Sequence, residues 1–185
     1  GDVYRNRRVL VTGHTGFKGS WLALWLEQLG AEVQGFALAP PTSPSHFALC
    51  GLENRLSHAE ADVRDLQALE TTFADSKPEV VFHLAAQPLV RDSYEQPKET
   101  FDVNVGGTVN LLECVRRTPS VRAVVIVTSD KCYENQDWDY AYRENDPLGG
   151  HDPYSASKGA AEIVVASYRR SFFPAGGQRQ TGVAS

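Results

Sequence analysis

Val9-Leu10-Val11-Thr12-Gly13-His14-Thr15-Gly16-Phe17-Lys18-Gly19-Ser20-Trp21-Leu22-Ala23-Leu24-Trp25-Leu26 decides how the rest of the chain reads. The β-branched run from Arg8 to Thr12 predicts a strand. Trp21 and Trp25, Leu22 and Leu26, and Leu29 recur at helical spacing on one apolar face, and Gly30 stops the helix they predict. Between the two, Gly13, Gly16 and Gly19 remove the β-carbons that would keep a pyrophosphate from the backbone N–H groups and positive end of the helix. The stretch therefore reads as strand, nucleotide-binding turn and helix. Its Gly-x-x-Gly-x-x-Gly spacing is a variant of the dinucleotide fingerprint, and its place in the first βα unit is where such a turn belongs. Thr15 and Phe17 lie inside the turn and are expected among its cofactor contacts. His14 and Lys18 lie there too, and for each a solvated loop residue and a phosphate contact are equally open.

A chain of 185 residues suits one domain, expected to span 1–185. The formal charge of −5 argues against a nucleic-acid surface. No segment resembles a signal peptide and no apolar run approaches a membrane span, so a cytoplasmic protein without membrane or nucleic-acid partners is expected. Cys50, Cys114 and Cys132 have no C-x-x-C pairing and suggest reduced thiols and no metal. Cys114 is expected in the core. The absence of a starting Met, and a strand-like Thr181–Ser185 following a helix and the Gly176-Gly177 turn, lead to the expectation that the natural protein continues.

Along the chain, Glu32–Ala37 predicts a second strand, ending in Leu38 where an acidic residue would mark NAD and an arginine NADP, so this position leaves the cofactor open. A strand near Ser57–Ala61 leads to Asp62 at the adenine edge and to a helix capped by Asp65, with Leu66, Leu69 and Phe73 inward. Val80–Ala86 predicts a buried strand whose small residues let a ligand approach. Pro97 opens a long helix to about Arg117 with Phe101, Val105, Val109 and Leu112 as its apolar series; Gly106 and Gly107 imply close packing, and Asn104 reads equally as a core amide or a site residue. Val121–Thr128 predicts a central strand, and Pro153 opens a helix to about Phe172. Five strands alternating with helices give a Rossmann-like, doubly wound parallel α/β sheet with helices on both faces.

Ser129, Asp130 and Lys131 follow the central strand at the carboxyl edge where ligand chemistry belongs, while Tyr154 and Lys158 share one face of the last helix. A phenol, ordinarily of pKa about 10, becomes a usable base when an ammonium stabilises its anion. The glycine turn, a serine at a strand end and Tyr-x-x-x-Lys together resemble the short-chain dehydrogenase/reductase superfamily, in its extended, nucleotide-sugar-modifying branch, over the whole chain. The resemblance implies NAD as cofactor, Ser129 orienting the sugar hydroxyl, Tyr154 as base, and Lys158 on the nicotinamide ribose. It places Asp62 and Val63 at the adenine, the Leu84-Ala85-Ala86 backbone along the cofactor, and Asn104 and Thr128 among the cofactor contacts.

Dehydratases of this branch carry an Asp-Glu pair after the serine or threonine, and here the pair is Asp130-Lys131. Val127–Asn135 together with Gly13–Leu22 is most similar to the branch members acting on CDP-linked glucose. That likeness implies internal oxidation at C4, loss of water across C5 and C6, and return of hydride to C6. Asp130 protonates the departing hydroxyl, and Lys131 stands where relatives place the C5 base. It also implies a nucleotide-sugar substrate bound largely by a C-terminal domain absent from this chain. A homodimer or higher homo-oligomer, formed through 97–117 and 152–172, is expected as well. A dehydratase or epimerase for another nucleotide sugar, and a non-catalytic NAD sensor, are the competing readings.

Overall fold

A computed structural model describes residues 2–174, 176 and 181–185. Its framework is one six-stranded, all-parallel sheet of β1 (Arg8–Thr12), β2 (Glu32–Ala37), β3 (Ser57–Glu60), β4 (Val80–His83), β5 (Ala123–Ile126) and β6 (Gly182–Ala184), in the order β3-β2-β1-β4-β5-β6. The chain therefore leaves β1 in one direction for β2 and β3 and in the other for β4, β5 and β6. The crevice at the carboxyl ends of β1 and β4 is the place where such a sheet binds ligands. The expected sixth strand is present, while Gly177 of the turn before it lies outside the described residues.

Strand alternation divides the core in two. Leu10, Phe36, Val81, Val124 and Ile126 face α3 (Leu66–Ser76), α6 (Gly107–Arg117) and α7 (Pro153–Phe172), whereas Val9, Val11 and Val33 face α1 (Phe17–Gln28) and the short α2 (His46–Leu49). On the α1 side the sheet is fully covered only over β1 and β2. Val80, Phe82, Ala123 and Val125, which share that side, are half-buried. Asp65 caps α3 by accepting from the Ala68 N–H at 3.0 Å, with Leu69 and Phe73 buried beneath it.

Two expected helix faces are wrong. Trp21 and Trp25 are 52% and 64% exposed, and α1 instead buries Gly19, Ser20, Ala23 and Leu26. The helix is apolar nearly all round, so periodicity does not choose a face. Close approach to the turn does, and it admits only small side chains. The helix predicted over 97–117 is three pieces, α5 (Pro97–Phe101), a π-helical turn (Asp102–Gly106) and α6, preceded by an unanticipated α4 (Val90–Glu95). Its buried stripe runs Thr100, Asn104, Thr108, Leu111 and Val115, and Phe101, Val105 and Val109 lie toward the surface. Polar groups fill the covered positions because they bond one another, a pattern invisible to hydrophobic spacing. Gly107 does pack closely, since a β-carbon there would lie 2.7 Å from Val63 Cγ2, but Gly106 has open space.

Candidate active site

The glycine turn is shaped by contact. Gly13 has φ +73°, and a β-carbon on it would lie 2.7 Å from the Ala85 nitrogen; one on Gly19 would lie 2.0 Å from the Gly13 oxygen. Glycine at these two positions lets the β1 exit rest on the backbone after β4 and lets α1 start directly above it. This builds a backbone cradle ending in a helix N-terminus, which fits a pyrophosphate. Gly16 is less constrained, with its nearest contact at 3.4 Å, and its N–H bonds the Gly13 carbonyl at 3.1 Å. Thr15 is buried and donates to the Leu38 carbonyl at 2.8 Å, bracing the turn against the end of β2; Phe17 is 73% exposed at the rim.

His14 takes neither of the roles open to it in the sequence. Its ring is fully buried against Gly35, Phe47 and His58, and among the described residues neither ring nitrogen has a hydrogen-bond partner. Burial first, then the neighbouring His58, pushes its pKa down to about 4, opposed only by the nearby Phe36 backbone, which lies outside good hydrogen-bond geometry. Lys18 is exposed in the first turn of α1 rather than in the loop.

Just after β3, Asp62 is held by Arg64, which donates to it from its backbone N–H at 2.8 Å, from Nε at 3.0 Å and from its terminal nitrogen at 2.6 Å. Those bonds keep the carboxyl below its usual range. Val63 turns its side chain into the core while its carbonyl accepts from Asn110. Leu84, Ala85 and Ala86 run beyond the last ladder pair of β4, with the Leu84 N–H still donating to the Thr12 carbonyl at 3.1 Å, and are half-buried, lining the crevice. Asn104 is buried with its amide engaged: Oδ1 accepts from the Gln87 N–H at 2.8 Å, and Nδ2 donates to the Gln87 carbonyl and to Ser157 Oγ. It is a core amide beside the site.

The exit of β5 is fastened onto α7. Lys158 Nζ donates to the Val127 carbonyl at 3.3 Å, Thr128 Oγ1 donates to Glu162 at 2.5 Å, and Gly159 leaves room for the Cys132 carbonyl, 3.1 Å from where a β-carbon would sit. The Thr128 hydroxyl therefore belongs to α7. Ser129 caps a 3-10 turn (Asp130–Cys132), accepting from the Lys131 N–H at 3.2 Å and donating to Asp130 Oδ1 at 3.1 Å; Asp130 and Lys131 are exposed. Asp152 caps α7 through the Ser155 N–H, so Tyr154, half-buried, and Lys158, 7% exposed, occupy its first turns. Burial lowers Lys158 to about 8, Lys18 adds to the effect and Glu162 opposes it. Cys132 is buried and its thiol is pushed up to about 11, chiefly by burial, and Cys114 to about 12, so both are neutral.

Sequence reasoning missed His83. It is buried between Thr12 Oγ1, 2.7 Å from Nδ1, and Thr108 Oγ1, 3.3 Å from Nε2, and burial pushes it down to about 3. Thr12 accepts from the Ala85 N–H, and Thr108 donates to the Asn104 carbonyl, which assigns the proton of the neutral ring to Nε2. With Asn104 donating to Ser157, and Ser157 to the Tyr154 carbonyl, one buried hydrogen-bond chain joins the glycine turn to the first turn of α7. The available signal was strand alternation, which puts His83 on the same covered face as Val81.

Among the described residues no group of three or more potential ligands is arranged for a metal, and no helix is long and apolar enough to cross a membrane. A family model described as GDP-mannose 4,6 dehydratase matches residues 10–173. A CDP-glucose 4,6-dehydratase of Salmonella typhimurium is 54% identical over 182 residues, covering 98% of this chain and 51% of that protein. A UDP-glucose 4-epimerase of Mycolicibacterium smegmatis is 34% identical over 165 residues, covering 89% and 52%. Among solved structures, MoeE5 in complex with UDP-glucose and NAD matches with a TM-score of 0.75 at 30% identity, over 95% of this chain and 52% of that one. The UDP-glucose 4-epimerase of Brucella ovis in complex with NAD matches at 0.77 and 28% identity, over 91% and 49%. The chain spans about half the length of the curated relatives it matches.

Proposed function

The chain belongs to the GDP-mannose 4,6 dehydratase family, and from that membership we propose that its reaction is dehydration of CDP-D-glucose to CDP-4-keto-6-deoxy-D-glucose. The choice of substrate is supported by the 54% identity with a CDP-glucose 4,6-dehydratase across 98% of the chain. NAD is the cofactor of this reading, supported by the backbone cradle at Gly13 and Gly19 and by NAD in the matched MoeE5 and epimerase structures. When bound, it supplies a hydride acceptor for C4 and a hydride donor for C6. The observation that carries the proposal is the fastening of Val127 and Thr128, which lead directly into Ser129-Asp130-Lys131, onto α7 at Lys158 and Glu162, in the turns that follow Tyr154.

Tyr154 takes the proton of the C4 hydroxyl, which Ser129 Oγ orients. The Lys158 ammonium, one helical turn away, stabilises the negative charge that forms on the phenol oxygen. The 4-ketone so produced acidifies C5. Lys131 takes the C5 proton and Asp130 gives a proton to the departing C6 oxygen, so water leaves without a free hydroxide. Asp130 and Lys131 are exposed at the mouth of the crevice, which suits groups that act on the far end of the sugar. Phe101, Ile163 and Phe172 are exposed on α5 and α7, which supports self-association as a homodimer through these helices; light scattering that gave a monomer would remove that part.

The test is incubation of the protein and NAD with CDP-, dTDP-, GDP- and UDP-sugars. A product lighter by one water from CDP-glucose alone is expected. A product of unchanged mass and inverted configuration would make the protein an epimerase, and tight NAD binding with no product would make it a sensor.

A further inference from the structure

We infer that Glu162 is a positioning residue of this site: its carboxylate clamps the exit of β5 to α7 and is the fixed counter-charge of the Lys158 ammonium. Glu162 stands one helical turn beyond Lys158, which is itself one turn beyond Tyr154, so the three share a face of α7. Its two oxygens are tied separately. Oε1 accepts from Thr128 Oγ1 at 2.5 Å and Oε2 from Ser185 Oγ at 2.6 Å, so the carboxylate is held between β5 and the segment after β6.

The tie to Thr128 fixes the residue between the Val127 carbonyl, which accepts from Lys158 Nζ, and Ser129. One carboxylate thus sets both the strand exit and the charge environment of the lysine. Among the described residues the carbonyl bond at 3.3 Å is the one hydrogen bond of that ammonium, a weak replacement for water around a group only 7% exposed. The charges facing Lys158 are Glu162 from its own helix, Lys18 from α1, and His83 from β4, which is neutral. Burial and Lys18 favour loss of the proton, and Glu162 is the group that opposes it. Its charge also reaches Cys132, which places it beside the turn carrying Asp130 and Lys131. Glu162 acts through Lys158 and Thr128 rather than on a substrate.

The catalytic consequence rests on the roles proposed above for Tyr154 and Lys158, so the experiment reads the lysine directly. Trace acetylation of the full-length protein across a pH series, with the Lys158 peptide quantified by mass spectrometry, gives the midpoint of its titration. Glu162→Gln keeps an oxygen for Thr128 and removes the charge. It is expected to lower that midpoint by about one pH unit and to move the alkaline limb of kcat/KM for CDP-glucose down with it. Glu162→Asp retains the charge and should restore part of both. An unchanged labelling midpoint in Glu162→Gln would overturn the inference, since a purely structural clamp predicts that result. A lowered midpoint in a protein that turns over no nucleotide sugar would uphold it and overturn the proposed function.

Discussion

Acid should destabilise this fold well before its carboxylates protonate, because two histidines are buried in the neutral form. His14 is fully buried and held to about 4, and His83 is 3% exposed and held to about 3, both by burial. In the unfolded chain each returns to about 6.5. Below that value the unfolded state binds protons that the folded state refuses. The stability these groups allow is fully present above about pH 6.5 and is lost as pH falls, until the folded-state values are reached. At pH 5 the loss is about 2 kcal/mol for each histidine, about 4 together, against a total stability of about 5–15 for a domain. Asp62, Glu79, Glu113 and Asp152 have lowered values, so their stabilisation is present above the unfolded carboxylate range near about pH 4 and is lost as pH falls from there toward the folded values, which leaves most of the window from pH 7 to 5 to the histidines. Urea unfolding followed by circular dichroism at pH 7, 6 and 5 measures the effect. Between pH 6 and 5 the slope should approach about 2.7 kcal/mol per unit, and His14→Leu should bring it near half, whatever it does to stability at pH 7. Equal stability at pH 5 and 7, or an unchanged slope in His14→Leu, would refute the reasoning.

Three further outcomes test the site. Calorimetric titration should find NAD bound more tightly than NADP, since the loop that follows Leu38 carries no arginine or lysine from 39 to 50 to clamp a 2′-phosphate; tighter NADP binding would redirect attention to the loop containing Ser43 and Ser45. Tyr154→Phe should keep cofactor and lose turnover by about 10²–10⁴, the worth of a general base, while near-normal turnover would remove Tyr154 from the mechanism. Lys131→Ala should still reduce NAD on adding substrate, yet fail to eliminate water or to exchange the C5 proton with deuterium. Lys131→Glu, which puts a carboxylate in the place of the amine, should recover part of the activity. Normal exchange in Lys131→Ala would exclude it as the base.

The legible parts of this fold were those set by local chemistry. Arg8–Thr12, Glu32–Ala37 and Pro153–Phe172 fall where the β-branched run, Gly30 and Pro153 place them. The Tyr154–Lys158 pair is legible for the same reason, because four residues on a helix fix a shared face. Trp21 and Trp25 were misread because an apolar pattern shows where a helix forms, and steric room at Gly13 and Gly19 decides how that helix lies.

What stayed hidden was the polar interior. The chain from Ala85 through Thr12, His83, Thr108, Asn104 and Ser157 to Tyr154 joins residues 73, 71, 25 and 53 positions apart at its long steps. No local pattern announces such partners. Yet each buried donor left unmatched costs about 1–3 kcal/mol, so the members are required together once any one is buried. Thr100, Asn104 and Thr108 look like the outer face of an amphipathic helix for that reason, although they form its inner one. The consequence for function is geometric. The turn that fits a pyrophosphate and the helix that carries Tyr154 are registered to each other by bonds of fixed direction, which apolar packing alone does not impose.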